Sequence, residues 1–92
     1  MIFEWDELKA AANLLKHGVD FDEAGSVFLD PLASIFDDEW HSSTEPREII
    51  VGHSQRDRLL LVSFVERRSG VIRIISARET TRRERLDYEE NH

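Results

Sequence analysis

Val71-Ile72-Arg73-Ile74-Ile75-Ser76-Ala77-Arg78 is the stretch from which the fold is read. Five of its eight residues are apolar, Gly70 precedes it, and it is too short for a well-formed helix, so it reads as a strand. Strict alternation puts Val71, Arg73, Ile75 and Ala77 on one face and Ile72, Ile74, Ser76 and Arg78 on the other. Both faces are mostly apolar, as in a strand near the middle of a sheet, yet each carries one arginine. Glu79-Thr80-Thr81-Arg82-Arg83-Glu84-Arg85 follows directly as a charged, helix-forming run. A buried strand that delivers Arg78, Arg82, Arg83 and Arg85 to one edge of a small domain is a way to build an anion site.

Working backwards, Glu48 to His53 and Leu59 to Val65 read as two more strands, joined by a turn at Gln55-Arg56-Asp57. Glu66 to Gly70 links the second of them to the opening stretch. Three strands with short links imply an antiparallel meander. Leu32 to Phe36 is a weaker strand, and Asp37 to Pro46 is a polar loop in which Asp37-Asp38-Glu39 reads as solvated. Working forwards, a last helix is expected from about Glu79 to Glu90, with Ser76 and Glu79 at capping-box spacing. Its apolar content is only Leu86 and Tyr88, so it is expected to be mobile or interfacial.

The first third of the chain reads as a short strand and two helices. Ile2-Phe3-Glu4-Trp5 ends at Asp6, a good N-cap. Leu8, Ala11, Ala12 and Leu15 form one apolar stripe at i, i+3, i+4 and i+7, while Lys9, Asn13 and Lys16 share an exposed face. Lys16 and His17 suit the negative end of the helix dipole, and Gly18 is the natural left-handed terminator. Asp20 caps a second helix whose buried stripe is Phe21, Ala24, Val27 and Phe28, stopped by Asp30-Pro31. The turn Lys16-His17-Gly18-Val19 is therefore held between two well-terminated helices.

With 92 residues the chain is expected to form a single domain over 1–92. It has no cysteine, which excludes disulfides and thiolate metal sites and fits a cytoplasmic location. Neither a signal peptide nor a run of roughly 20 apolar residues is visible. The net charge is −7, but residues 1–46 carry 11 acids against 2 lysines and residues 47–92 carry 8 acids against 10 arginines. Arginine is confined to the second half, where its planar fork suits phosphate or carboxylate.

His17, His41, His53 and His92 lack mutual metal-ligand spacing, and there is no phosphate-binding glycine loop or nucleophile elbow. A metal-free set of Lys, His, Arg, Glu and Tyr remains, and no cofactor is expected. That set suffices to cleave RNA, which brings its own 2′-hydroxyl nucleophile and needs a base, an acid and cations on the developing charge.

Phe3-Glu4-Trp5-Asp6, Lys9, Asn13, Lys16-His17-Gly18-Val19, Phe21, Ala24, Val27-Phe28 and Asp30-Pro31 resemble the BrnT toxin family. So do His41-Ser42, Glu45 with Arg47, Gly52 with Ser54, Ile72 to Arg78, Thr81 to Arg85, and Tyr88. Two positions depart from that pattern: Trp40 replaces an acidic or small residue, and Pro46 interrupts a Glu-Glu-Arg run. The resemblance implies a RelE-like α+β fold, a small antiparallel sheet with two N-terminal helices packed on it and a C-terminal helix. It also implies a metal-independent endoribonuclease toxin of a type II toxin–antitoxin system, blocking translation. Its implied partners are an RNA substrate and a BrnA-type antitoxin, assembled as a heterotetramer that reaches operator DNA only through the antitoxin. On this reading Arg78, His17, Lys16, Lys9 and Glu79 are the candidate catalytic residues, with His17 or Glu79 as base or acid. Arg82, Arg83, Arg85 and Tyr88 are the candidate RNA contacts, and Arg73 is expected to pair with Glu48 or Glu66. The alternative is a catalytically inactive, toxin-derived module for partner binding and operon autoregulation. Direct DNA binding through the last helix is disfavoured by the acidic balance.

Overall fold

A computed structural model describes residues 1–40 and 45–91; His41, Ser42 and His92, which figure in the sequence reading, lie outside them. The described residues form a five-stranded sheet: β1 (Ile2–Glu4), β2 (Ser34–Asp37), β3 (Glu48–His53), β4 (Leu59–Arg68) and β5 (Val71–Glu79). Three helices accompany it: α1 (Glu7–His17), α2 (Phe21–Ser26), which continues into a 3₁₀ turn at Val27–Leu29, and α3 (Arg82–Glu90). The strand order is β1-β5-β4-β3-β2. The meander β3-β4-β5 is antiparallel as expected, but β1 pairs parallel to β5, with Ile2 opposite Val71 and Glu4 opposite Arg73. The sheet is therefore mixed, not antiparallel throughout. The chain leaves β1 through α1 and α2 and re-enters at the opposite edge as β2, so no tight turn joins β1 to β5 and the parallel sense is open to them.

The two faces are covered unequally. Phe21, Ala24 and Val27 pack with Ile50, Leu60, Val62, Phe64, Ile72, Ile74 and Ala77 to form the main core beneath α2. On the other face a smaller cluster joins Tyr88 of α3 to Val51 and Leu59, leaving part of that face open. Burying a large apolar side chain stabilises by about 1.5–3 kcal/mol, so the main core dominates.

The sequence reading of α1 is inverted. Leu8 and Leu15 are 83% and 90% exposed, whereas Asn13 is 7% exposed. β1 ends opposite Arg73 while β5 continues to Glu79, leaving a bare strand edge that α1 covers with Asn13. The Asn13 Nδ2 donates to the carbonyl oxygens of Ala77 (2.8 Å) and Val19 (2.9 Å), and Oδ1 accepts from the Ala77 N–H (3.0 Å). A side-chain amide thus replaces the missing strand, and buried backbone groups that need partners receive them. The apolar stripe is turned outward because satisfying that edge decides the rotation of the helix.

Alternation along β5 is also broken. Ser63 faces Ser76 and Phe64 faces Ile74, so Ile75 is an extra, bulged residue. Beyond it the phase reverses, and Ala77 enters the core while Arg78, opposite Leu61, joins Arg73 on the second face. Strict alternation had separated the two arginines. Arg73 pairs with Glu4 on β1 (3.3 Å), not with Glu48 or Glu66, because β1 is the neighbour on that side.

The last helix starts later than expected, because β5 runs on to Glu79. Thr81, not Ser76, is its N-cap, closing a capping box with Glu84. Tyr88, 9% exposed, donates to the Leu32 carbonyl (3.2 Å) and meets the His53 ring edge-on. One aromatic anchor and one ion pair thus dock a helix that its polarity had marked as loosely held.

Candidate active site

Lys16, His17, Arg78, Ser76, Ser63, Asp38, Glu84 and Trp40 surround a cleft of about 530 Å³ floored by Ile49 and Leu61. Each side is delivered by a different device. The α1 C-terminus brings Lys16 and His17, because Gly18 (φ 69°) terminates the helix and Asn13 ties it to β5. The bulge at Ile75 turns Ser76 and Arg78 to the same face as Ser63 and Leu61. An adjoining groove of about 640 Å³ shares Ile49, Leu61 and Glu84, but its charged lining is only Glu84 and Asp87, so it offers a phosphate no cation.

The α1–α2 turn is braced by a network absent from the sequence reading. Glu23, fully buried, accepts hydrogen bonds from the Ser54 hydroxyl (2.6 Å) and Arg58 Nε (2.9 Å), and its second oxygen pairs with Arg58 Nη2. Arg58 Nη2 also donates to the Gly18 carbonyl (3.0 Å), linking the β3–β4 hairpin to the turn that carries Lys16 and His17. The Arg58 hydrogen bond holds the Glu23 carboxyl below its ordinary range against the opposing effect of burial. Asp20 and Glu23 stand at capping-box spacing, and the Asp20 cap is present, but the Glu23 side chain is taken by Arg58.

Arg78 is held from the opposite side. Its Nη1 and Nη2 donate to the two Glu84 oxygens at 2.7 and 2.9 Å, and Nη1 also reaches the Glu79 carbonyl (3.3 Å). This bidentate pair fixes the plane of the guanidinium. It pushes the Glu84 carboxyl down to about 2, with further help from the Thr81 backbone, and raises Arg78 above the ordinary arginine value. Glu84 is accordingly a poor proton carrier near neutrality and acts as the group that positions Arg78. Its spacing from Thr81 was readable as a capping signature; its second role, holding Arg78, was not.

The remaining expected site residues divide. Glu79 sits opposite Leu60, a residue of the main core, and its carboxylate lies 3.7 Å from Arg58, on the face away from Arg78. It does not line the cleft, because the strand alternates between 78 and 79. Lys9 is exposed on α1 about 10 Å along the helix axis from Lys16. Arg83 and Arg85 make exposed pairs with Asp87 (3.6 Å) and Glu89 (3.9 Å), and Arg82 is exposed at the start of α3. Tyr88 is the buried anchor described above, so its ring is not presented for contact with a base. Asp38, expected in a solvated loop, is 7% exposed, and its N–H donates to the Arg47 carbonyl (2.9 Å). Trp40, at the opposite extreme, is 94% exposed on the cleft rim.

A small α+β domain with cations from a helix end and a bulged strand converging on one open sheet face is the class this architecture defines. Residues 5–84 match the family described as the ribonuclease toxin BrnT of type II toxin–antitoxin systems. That match spans most of the chain, and the protein belongs to the BrnT family. Among solved structures it is similar to the ribonuclease toxin BrnT of Brucella abortus, with a TM-score of 0.67 and 24% identity over 89% of this chain and 100% of that one. At that identity the likeness speaks for the fold alone. No match was found among curated protein sequences. No helix among the described residues is long and apolar enough to cross a membrane.

Proposed function

We propose that the chain is the toxin of a type II pair, a metal-independent endoribonuclease of the cytoplasm whose cleft carries the chemistry. The observation that supports this reading is the meeting of Lys16, His17 and Arg78, from opposite ends of the chain, around one concavity. The 2′-hydroxyl oxygen attacks the adjacent phosphorus and the bond from phosphorus to the 5′-oxygen breaks, leaving a 2′,3′-cyclic phosphate. Arg78 and Lys16 bind the phosphate and the charge that grows on its oxygens; a positioned donor of this kind is worth about 3–4 kcal/mol. His17 moves the proton, since imidazole both accepts and donates near neutrality. Lys9 and the α3 arginines contact flanking phosphates or the antitoxin, their exposed pairs being weak enough to exchange. Neutralisation falls to a BrnA-type antitoxin in a heterotetramer, which alone touches operator DNA.

The bidentate hold of Glu84 on Arg78 favours a second reading, a binding module whose cation is permanently masked. Induction in cells lacking the antitoxin, with mapping of RNA ends, separates the two. Growth arrest with cyclic-phosphate ends, insensitive to a chelator in vitro and lost in Arg78→Ala but not in Arg67→Ala, is the expected result. Intact RNA and normal growth on induction of the folded wild-type chain would leave only the binding module.

A further inference from the structure

We infer that Trp40 is a base-stacking residue and that the substrate is RNA whose bases are unpaired at the cut. The inference rests on the ribonuclease reading above and adds the element that binds the base. Scattered exposed apolar residues are ordinary, and exposure by itself carries nothing. Trp40 differs in its place: an indole 94% exposed on the rim of the concavity that also holds Lys16, His17 and Arg78. A nucleotide bound by its phosphate to those cations carries a flat base within reach of the same rim.

Phe36, the other half-exposed ring nearby, lines the adjoining groove, which holds no cation, and the remaining aromatic rings are committed elsewhere. Phe3, Phe28 and Phe64 pack on one another, Trp5 meets Phe21 edge-on, and Tyr88 meets His53. Charge sharpens the argument. A chain of net charge −7, with Asp38 and Glu84 in the cleft itself, repels a polyanion at long range and gains little from counterion release. Affinity must then come from short-range contacts, and stacking on an indole is the strongest that a base offers irrespective of its identity. Bases in a duplex have both faces covered, so only unpaired nucleotides can stack on a side chain.

The test uses a single-stranded oligoribonucleotide with 2′-O-methyl groups, which binds but cannot react. In a Trp5→Phe background the emission comes from Trp40 alone, and the single strand should quench it while the same sequence in a duplex should not. Trp40→Ala should weaken binding roughly 5- to 100-fold. Trp40→Leu should behave like the alanine variant and Trp40→Phe should retain most affinity, because the interaction needs a ring. With cleavable RNA the alanine variant should raise KM with kcat little changed. The loss should be the same at 50 and 200 mM salt, unlike that of Lys16→Ala. Unquenched emission, or unchanged affinity in Trp40→Ala while the wild type still cuts RNA, would overturn the stacking role and leave the ribonuclease standing. A wild-type protein that neither binds nor cuts RNA would overturn both.

Discussion

Replacing Asn13 by alanine should unseat α1 from β5, and its cost follows from the hydrogen bonds it makes. The substitution strips partners from the Ala77 N–H, the Ala77 carbonyl and the Val19 carbonyl. Val19 and Ala77 are 0% and 1% exposed, so water reaches these groups only if the helix moves. A buried group left unsatisfied costs about 1–3 kcal/mol; allowing some relaxation, three such groups give about 3–5 kcal/mol in all. A domain of this length has about 5–14 kcal/mol of stability, so the loss is a large share of it. Urea unfolding should show a lower midpoint at unchanged m. Asn13→Asp is the sharper test. Its carboxylate still accepts from the Ala77 N–H, but its second oxygen faces two carbonyl oxygens, so at pH 7 it should be less stable than Asn13→Ala. Protonation restores one donor, so the aspartate variant should recover relative to Asn13→Ala as pH falls. An alanine variant within about 1 kcal/mol of wild type, or an aspartate variant more stable than it at pH 7, would refute the edge-capping account.

Leu15→Glu should change stability by less than about 0.5 kcal/mol in thermal melts, because the residue faces outward; a core leucine would cost several times more. Arg58→Ala leaves the fully buried Glu23 without its cation and should cost about 3–5 kcal/mol, read from the denaturation midpoint. Stability should be flat from neutrality to about pH 4.5 and decline below it. The folded carboxyls of Glu23 and Glu84 lie under the ordinary 4.5, so the unfolded chain takes up protons first, and the Glu84 contribution fades toward pH 2. A stability maximum near pH 3 in acid titrations would contradict that sign. Glu84→Gln should free Arg78 from its carboxylate and tighten oligoribonucleotide binding several-fold in the titration described for Trp40, with a modest loss of melting temperature; weaker binding would show that the guanidinium needs the carboxylate to hold its orientation.

The parts of the fold written in local signals were legible. Asp6, Gly18 and Asp20 act as caps where expected, and β3, β4 and the start of β5 lie where their apolar runs placed them. What escaped depends on partners distant in sequence. The stripe Leu8-Ala11-Ala12-Leu15 has the period of a buried face, but hydrophobic periodicity cannot register that β5 outruns β1 and needs Asn13 at its edge. The bulge leaves no mark in the sequence of β5, since Ile75 is as apolar as its neighbours. Arg58 and Glu23 are 35 residues apart, and neither residue type announces a buried pair. For the cleft, Arg78 at the strand end and the Lys16-His17 turn between two caps were legible from the residues, and the resemblance added the catalytic roles expected of them. The sheet's two-residue period excluded Glu79, and burial withdrew Tyr88.

The extra residue at position 75 makes the orientation of the cleft a matter of parity. Between Arg73 and Arg78 lies an odd number of steps, which an uninterrupted pleat would resolve by sending the two guanidinium groups to opposite sides. One surplus isoleucine corrects the count. Deleting it would leave Arg73 and Arg78 four steps apart, an even number, so a straight pleat would keep both on one face and Ala77 in the core. One more residue between Ile75 and Ala77 would instead send Arg78 toward the hydrophobic interior and swing Ala77 out toward the cleft. Such a change is far more damaging than one in the β4–β5 turn at Ser69-Gly70, where a chain can gain or lose a residue without reversing the strand that follows.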